Sequence, residues 1–340
     1  MPRSRTWHRL AIVLALILLC AGTAHAEAPL TVTFLNVGQG DCVWLKTPDG
    51  QDIVIDGGVE SQGPIVLAYL QAQGVTDIET MLLTHPDGDH VGGLITLLQN
   101  LPVAQFVGNG QSSDTGVYRR FANELQARGV PTRVVRAGES LTWGAVSATV
   151  LNPADPLASA TNDNSVTLRL SYGSVDFLFP GDISSDIESD ILARSGVVEA
   201  EVLKVAHHGS RYSSSTAFLS AVQPHVAVIE VGANSYGHPT AQTLSRLADA
   251  QATVYRTDRD GTITVTTNGT GWTVTTQVAA LSWQPTGDVN ADGVVNLFDL
   301  VAVTRAYNPG APPSDRRADL NQDGTVNLLD LVLVARSIDL

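Results

Sequence analysis

The stretch THPDGDH, Thr84 to His90, places two imidazoles and two carboxylates within a single short turn. Crowding like charges in this way is unfavourable unless something positive sits among them. His85, Asp87, Asp89 and His90 therefore read as a clamp for a cation. Further groups of the same chemistry stand where apolar runs end: Asp56 in IDGG, Asp182 in FPGD, His207 and His208 in AHHGS, and His238 in YGHPT. A carboxylate or imidazole at a strand end lies in a sheet crevice, where ligands gather. The whole chain has 8 histidines, and these segments hold most of them. A divalent-metal centre that hydrolyses a bond needs such ligands from separate strands, together with a water.

Bringing distant segments together requires a layered scaffold, and the hydrophobic pattern supplies one. LTVTFLNV, DCVWLKT and QDIVIDGG read as strands from Leu30 onward, and IETMLLTH is a buried strand that delivers His85. Later strands are predicted in AQFVGN, RVV, SATVLNP, SVTLRLSYG, VDFLFPGD, EVLKVAHHGS, HVAVIEVGAN, ATVYRTDRDG and TITVTTNG. GPIVLAYLQAQG, VGGLITLLQNL, VYRRFANELQARG and SSDIESDILARSG have helical spacing. Strands mixed with helices throughout predict an α/β or α+β domain with helices outside the sheets. GQGDC reads as a glycine-permitted bend, with Cys42 a small buried apolar residue. Arg119, Arg120, Arg128, Arg133 and Arg136 read as a solvated face, and Trp272 and Trp283 as packing around the last strand.

The first residues read as a leader. Arg3, Arg5 and Arg9 precede the apolar run Leu10 to Cys20, and Ala24-His25-Ala26 offers a small-x-small cleavage site. This predicts a secretory signal peptide over 1–26 and an extracellular protein without membrane association after cleavage. The full chain carries a formal charge of −14, and the leader holds three of its 20 basic residues but none of its 34 acids. Such acidity argues against a broad electrostatic surface for nucleic acid. Cys42 is the one thiol beyond the leader, so stability comes from core burial or metals and not from an internal disulfide.

After Gln277 the composition changes, and AALSWQPTG reads as a linker, centred on 279–286. DVNADGVVNLFDL at 288–300 is then repeated as DLNQDGTVNLLDL at 319–331. Each copy offers oxygens at positions one, three, five, nine and twelve. They are Asp288, Asn290, Asp292, Asn296 and Asp299, then Asp319, Asn321, Asp323, Asn327 and Asp330. Glycine at position six, Gly293 or Gly324, permits the sharp turn of a calcium loop. Aspartate at position twelve departs from the glutamate of ordinary EF-hands. The pair resembles a type I dockerin module over about 286–340, which implies two Ca2+ ions, a small all-α domain and a cohesin-bearing scaffold protein as partner. Leu297-Phe298 and Leu328-Leu329 stand where family members with the Ser-Thr recognition pattern carry hydroxyl residues.

FLNVGQGDC, IDGG, THPDGDHVGG, NDNSVTLRL, FPGDI, LKVAHHGS and YGHPT occur in an order that resembles the metallo-β-lactamase superfamily, specifically the hydrolase domain of the ComEC competence proteins, over about 30–275. The resemblance implies a four-layer αββα sandwich filling 27–278, ahead of the linker and a dockerin at 287–340. It implies metal ligands at His85, Asp87, Asp89, His90, Asn164, Asp182, His207, His208 and His238. Asp182 matches a carboxylate bridging two ions, and Asp56 a residue that orients a ligand. Asn36 replaces the leading aspartate of the first motif, and Asp41 is retained. Carboxylate and amide in place of imidazole harden the first pocket, which predicts Mn2+ in preference to Zn2+.

The implied chemistry is attack of a metal-activated hydroxide on a phosphodiester or extracellular DNA. Asp89, Asp182, His208, His238 and Lys204 form its catalytic group, Lys204 offsetting charge and His208 or His238 protonating the leaving oxygen. Gly209, Ser210 and Ser213 to Ser215 read either as a phosphate cradle or as ordinary turn residues. Two other readings stay open: a hydrolase of small esters, lactones or thioesters, and a metal-holding binding module without turnover. No polymer-binding signature accompanies the dockerin pattern, despite the association of dockerins with polysaccharide catabolism.

Overall fold

The computed structural model describes residues 28–195, 197–278, 289, 297–308, 318–320 and 324–337. The chain divides into two units, Met1–Gln277 and Val278–Leu340. The leader, the linker, and Asp288, Asn290, Asp292, Asn296, Asn321 and Asp323 of the calcium loops lie outside the described residues.

The larger unit is built on two sheets. The first contains β1 (Leu30–Phe34), β2 (Val43–Lys46), β3 (Asp52–Ile55), β4 (Thr80–Leu82), β5 (Phe106–Gly108), β6 (Thr132–Val134), β14 (Ile263–Thr267) and β15 (Trp272–Thr276), in the order β15-β14-β1-β2-β3-β4-β5-β6. The second contains β7 (Ser140–Trp143), β8 (Val146–Asn152), β9 (Thr167–Tyr172), β10 (Val175–Phe179), β11 (Val202–Lys204), β12 (Val226–Ile229) and β13 (Thr253–Arg256), in the order β13-β12-β11-β10-β9-β8-β7. From β3 to β6 and from β10 to β13 neighbouring strands are parallel.

Strand periodicity explains the layering. In β3, Ile53 and Ile55 join the core between the sheets, while Val54 joins a separate core beneath the helices. Both faces are covered, so the run is apolar throughout. Val32, Phe34 and Leu45 meet Leu168, Leu170 and Phe177 in the inner core. Outside the first sheet, Met81 packs with Val66, Leu70, Leu94 and Phe121 of the covering helices. Outside the second, Leu178, Leu203 and Ala227 pack with Ile191, Phe218 and Leu247. These are four layers, αββα, as the resemblance implies.

The elements not predicted include β7, β15 and the helices Thr216–Val222 and Ala241–Asp249. β7 alternates exposed and buried positions over only four residues. The helix Ala241–Asp249 is amphipathic but short, turning Thr243, Leu244 and Leu247 inward, and it is started by Thr240, whose side chain accepts from Thr243 N–H.

In the smaller unit the helices Leu297–Ala306 and Leu328–Ser337 share a core of Val303, Ala306, Val326 and Val334, and Asn308 bridges to Val326. No helix among the described residues is long and apolar enough to cross a membrane.

Candidate metal centre

The parallel strands of both sheets deliver their C-terminal ends to one place. Asp56 follows β3, His85 follows β4, Asp182 follows β10, and Lys204 ends β11 just before the turn of His207 and His208. That turn is sharp: His207 and His208 both take positive φ, at 52°. His90 Nε2 lies 3.4 Å from Asp182 Oδ2, as does His208 Nε2. His208 Nε2 is 3.5 Å from Asp89 Oδ2. Ligating atoms of His85, His90 and Asp182 lie within 4.8 Å of one another, and so do those of Asp89, His90 and His208.

Each buried histidine is turned by its Nδ1. His90 Nδ1 meets Asp56 Oδ2 at 2.8 Å, and Asp56 is itself fixed by Thr84 N–H and hydroxyl at 2.8 and 2.7 Å. His208 Nδ1 donates to the Glu230 carbonyl at 2.8 Å. His85 Nδ1 lies 3.1 Å from Thr84 Oγ1 and 3.3 Å from Ser165 Oγ. Those hydroxyls donate to Asp56 and to the Asn162 carbonyl, so both present lone pairs to the ring. In all three residues Nδ1 therefore carries a hydrogen, and Nε2 faces the cluster, free to bind an ion once it is unprotonated.

Nε2 of His85, His90 and His208 and Oδ1 of Asp182 are buried without a hydrogen-bond partner. A buried polar atom left unpaired costs about 1–3 kcal/mol. Three such nitrogens converging on the carboxylate that bears the fourth atom are accounted for by a cation, and the mixed nitrogen and oxygen donors suit zinc, manganese or iron.

The charges depend on one another. Burial opposes charge on His90 and His208, but the carboxylates of Asp182 and Asp41, with Asp56 beside His90, outweigh it and hold both pKa values well above the usual 6.5. Burial and the neighbouring His90 push His85 down to about 3. Burial also opposes ionisation of Asp182, yet His208 and His90 hold its carboxyl well below the ordinary range.

Lys204 sits beneath this cluster, 2% exposed, in contact with Asp41 Oδ2 and 3.7 Å from Asp182 Oδ1. Asp41 Oδ1 lies 3.2 Å from His208 Nδ1. Glu230 completes the floor: Oε1 accepts from Cys42 N–H at 2.9 Å, and burial together with Asp41 pushes its carboxyl up. The loop carrying Asp41 is wedged in by bare backbone. A Cβ on Gly40 would stand 2.4 Å from the Asp89 carbonyl oxygen, and one on Gly232 2.4 Å from the Gly38 carbonyl carbon.

The structure thus brings together His85, Asp89, His90, Asp182 and His208. Asp87 Oδ2 lies 3.7 Å from His85 Nε2, and His207 Nε2 3.9 Å from Asp182. His238 stands one ring further out, its centroid 5.6 Å from that of His207. Asn164 is not brought in: its Oδ1 accepts from Ala158 N–H and its Nδ2 donates to the carbonyls of Ala158 and Ala160. The adjacent Ser165 faces His85 instead. Lys204 is engaged by Asp41 in the floor. Asp41, Glu230 and Ser165 escaped the sequence reading as site residues. An acid inside the apolar run VIEV was the available signal for Glu230.

Of the two readings of the serine turn, the ordinary one fits Ser213 to Ser215. Ser214 and Ser215 N–H both donate to the buried carboxylate of Glu188, the latter at 2.8 Å, and Ser213 Oγ donates to the Ile183 carbonyl at 2.7 Å. These donors are spent within the protein. Arg120, Arg128, Arg133 and Arg136 are paired with Glu60, Glu124, Glu139 and Asp155, in keeping with a solvated face. A cavity of about 600 Å3 under the helix Gly116–Ala127, lined by Phe106, Tyr118, Phe121 and Leu125, contains none of the cluster's residues.

In the smaller unit, Asp299 and Asp330 are buried. Asp330 accepts from Leu320 N–H at 2.7 Å and Asn327 N–H at 2.9 Å, and Asp319 Oδ2 accepts from Gly324 N–H at 2.9 Å. Asp319 and Asp330, the first and twelfth positions of the second loop, are thereby fixed by backbone of the same loop.

The metallo-beta-lactamase superfamily model matches residues 35–232, and the dockerin type I domain model matches residues 286–339. The chain is similar to ComE operon protein 3 of Bacillus subtilis (strain 168), 28% identical over 250 residues, covering 68% of this chain and 32% of that protein. It is similar to Recombination protein 2 of Haemophilus influenzae, 30% identical over 240 residues, covering 69% and 28%. Competence protein ComA of Neisseria gonorrhoeae is 29% identical over 243 residues, covering 71% and 33%. The chain spans about a third or less of the length of these curated relatives. Among solved structures, Igni18, a metallo hydrolase from Ignicoccus hospitalis, has a TM-score of 0.47 at 14% identity, over 69% of this chain and 98% of that one. The metallo-beta-lactamase fold protein YhfI from Bacillus subtilis has a TM-score of 0.46 at 12% identity, over 70% and 100%. With more than half of its residues matched by one family model, and with the two sheets and ligand cluster described above, the chain belongs to the metallo-beta-lactamase superfamily and carries a type I dockerin domain behind the hydrolase fold.

Proposed function

We propose that the larger unit is a divalent-metal phosphodiesterase acting on nucleic acid. In this reading a leader peptide exports the chain, and the calcium-loaded dockerin attaches it to a cohesin-bearing scaffold. The observation that carries the reading is the set of three buried Nε2 atoms converging on Asp182, each imidazole turned by a separate Nδ1 partner. The names of two relatives, a recombination protein and a competence protein, support DNA as the polymer in this reading.

His85, Asp87, Asp89, His90, Asp182 and His208 hold two cations in this proposal, with His207 adjacent. Asp87 in place of an imidazole leaves three carboxylates beside three imidazoles, a harder set than an imidazole there would give, and on that ground the proposal keeps Mn2+ ahead of Zn2+. When bound, such ions supply an activated water as nucleophile and offset the negative charge that grows on a phosphoryl group.

The protein's own contribution is positional. Asp56, Glu230 and the Thr84–Ser165 pair hold the three imidazoles in one orientation. Lys204 stays cationic in the floor and fixes Asp41, which in turn faces His208. His238 lies outside the ligand cluster with Nδ1 buried and unpartnered, and is the residue assigned to protonate the leaving oxygen. Burial and the nearby His207 and His208 lower its pKa, so the ring is neutral at rest and takes up a proton before it passes one to the leaving oxygen.

The test is turnover by the full chain loaded with Mn2+, on single-stranded DNA, bis(p-nitrophenyl) phosphate and nitrocefin. The expected result is cleavage of the first two, reduced at least 100-fold, in order of magnitude, in Asp182→Asn and His85→Ala. Nitrocefin hydrolysis alone refutes the substrate class. Full metal occupancy without turnover on any of the three refutes catalysis and leaves a metal-holding binding module.

A further inference from the structure

The loop after β12, Val231 to Thr240, is held by one side chain. Asn234 Oδ1 accepts from the backbone N–H of Tyr236 at 3.0 Å and of His238 at 3.1 Å. Its Nδ2 donates to the carbonyls of Gly232 and His238, both at 2.9 Å. An amide that makes all four of these bonds leaves the turn little freedom.

The turn presents Tyr236 to solvent at 72% exposure, the highest among the exposed large hydrophobic side chains of the described residues. Its ring lies 5.7 Å from that of His238 at an angle of 31°. His238 in turn lies 5.6 Å from His207, whose Nε2 is 3.9 Å from Asp182. A line of rings thus runs from the ligand cluster to solvent and ends on a tyrosine. Burial of the ring does not explain its placement, because the fold holds a large aromatic surface in water on a braced loop. One exposed ring is ordinary on a protein surface; this one is set apart by the braced loop that holds it and by its place at the end of the line of rings from the ligand cluster.

Electrostatics narrows the choice of ligand. The chain carries a formal charge of −14, and four arginines of the solvated face are already paired with carboxylates. Arg211 lies over Tyr212, 4.9 Å from the ring centroid. A polyanion therefore gains little from the overall field, whereas stacking of a base on an aromatic ring is independent of net charge. We propose that Tyr236 is the stacking platform for the nucleobase flanking the scissile phosphate, and that this contact selects nucleotide diesters over diesters without a planar group. The inference rests on the phosphodiesterase reading for the position of that phosphate.

The test is equilibrium binding to the full Mn2+-loaded chain, read by fluorescence anisotropy. The probes are two cleavage-resistant phosphorothioate oligomers of equal length, one of thymidines and one abasic throughout. Wild type is expected to prefer the thymidine oligomer. Tyr236→Ala weakens that binding roughly tenfold or more and leaves the abasic oligomer unchanged, while Tyr236→Phe retains the preference. Equal affinities of Tyr236→Ala and wild type overturn the proposal, as does an equal loss on both oligomers or no binding of either by wild type. Should the preference follow Tyr236 while unmodified DNA is never cleaved, the platform stands and the phosphodiesterase reading fails.

Discussion

Lys204→Met is the perturbation with the clearest expected size. The ammonium is 2% exposed, contacts Asp41 and stands 3.7 Å from Asp182 Oδ1. At an effective dielectric constant of about 20, attraction across that second distance is about 4–5 kcal/mol before the ammonium's desolvation is counted. Removing one member of a buried ion pair strands the other, and the net loss is typically about 3–5 kcal/mol. We expect a loss of that size in the chelator-treated protein. Asp41→Asn added to Lys204→Met removes the stranded charge, so the double variant should lose about 1–3 kcal/mol less than the sum of the single changes. Urea unfolding followed by fluorescence of the buried Trp44 and Trp143 measures all four proteins. Lys204→Met within about 1 kcal/mol of wild type, or strict additivity in the double variant, would refute the reasoning.

Four further outcomes are expected. His90 and His208 sit above 6.5 without metal, so both are charged at neutral pH and ion binding should release about two protons, seen in calorimetry as a heat that varies with buffer ionisation enthalpy. Because their folded values are raised, the stabilisation they give is complete below 6.5 and lost as pH rises through those values. The chelated protein should therefore melt earlier at pH ~9 than at pH ~7 while ion affinity increases, and the opposite trend refutes the charge assignment. Glu188→Gln replaces one acceptor by a donor facing the N–H groups of Ser214 and Ser215, and should lower stability by about 1–3 kcal/mol in thermal melts; an unchanged melting curve refutes that brace. Asp330→Ala removes the acceptor of Leu320 and Asn327 N–H, and should halve the calcium bound per chain by calorimetry, with unchanged stoichiometry as the contrary result.

The part of the centre written in consecutive residues was legible. His85, Asp89 and His90 share one turn after β4, and their spacing announces a cation before any fold is known. Asp182 and His208 were legible because a polar residue closing an apolar run marks the end of a buried strand. What the spacing does not contain is the pairing of single residues across the sheets. Asp41 reads as part of a glycine bend until Lys204, from the other sheet, is seen against it. Asn164 carries the opposite lesson. It occupies the expected place in the chain, but a local loop satisfies its amide at Ala158 and Ala160, and the next residue turns toward His85. Ser214 and Ser215 resemble an anion nest until Glu188, a helix residue far upstream, is found to fill it.

The backbone contacts at Gly40 and Gly232 have a consequence for biosynthesis. His85 to His90 leave the ribosome long before Gly232 does, yet the segment bearing Asp41 is latched only when both Asp89 and Gly232 press on it. Enclosure of the candidate ion site therefore waits until Gly232 has been made. A nascent or truncated chain that stops short of the latch displays the histidines without the enclosure that makes them a trap.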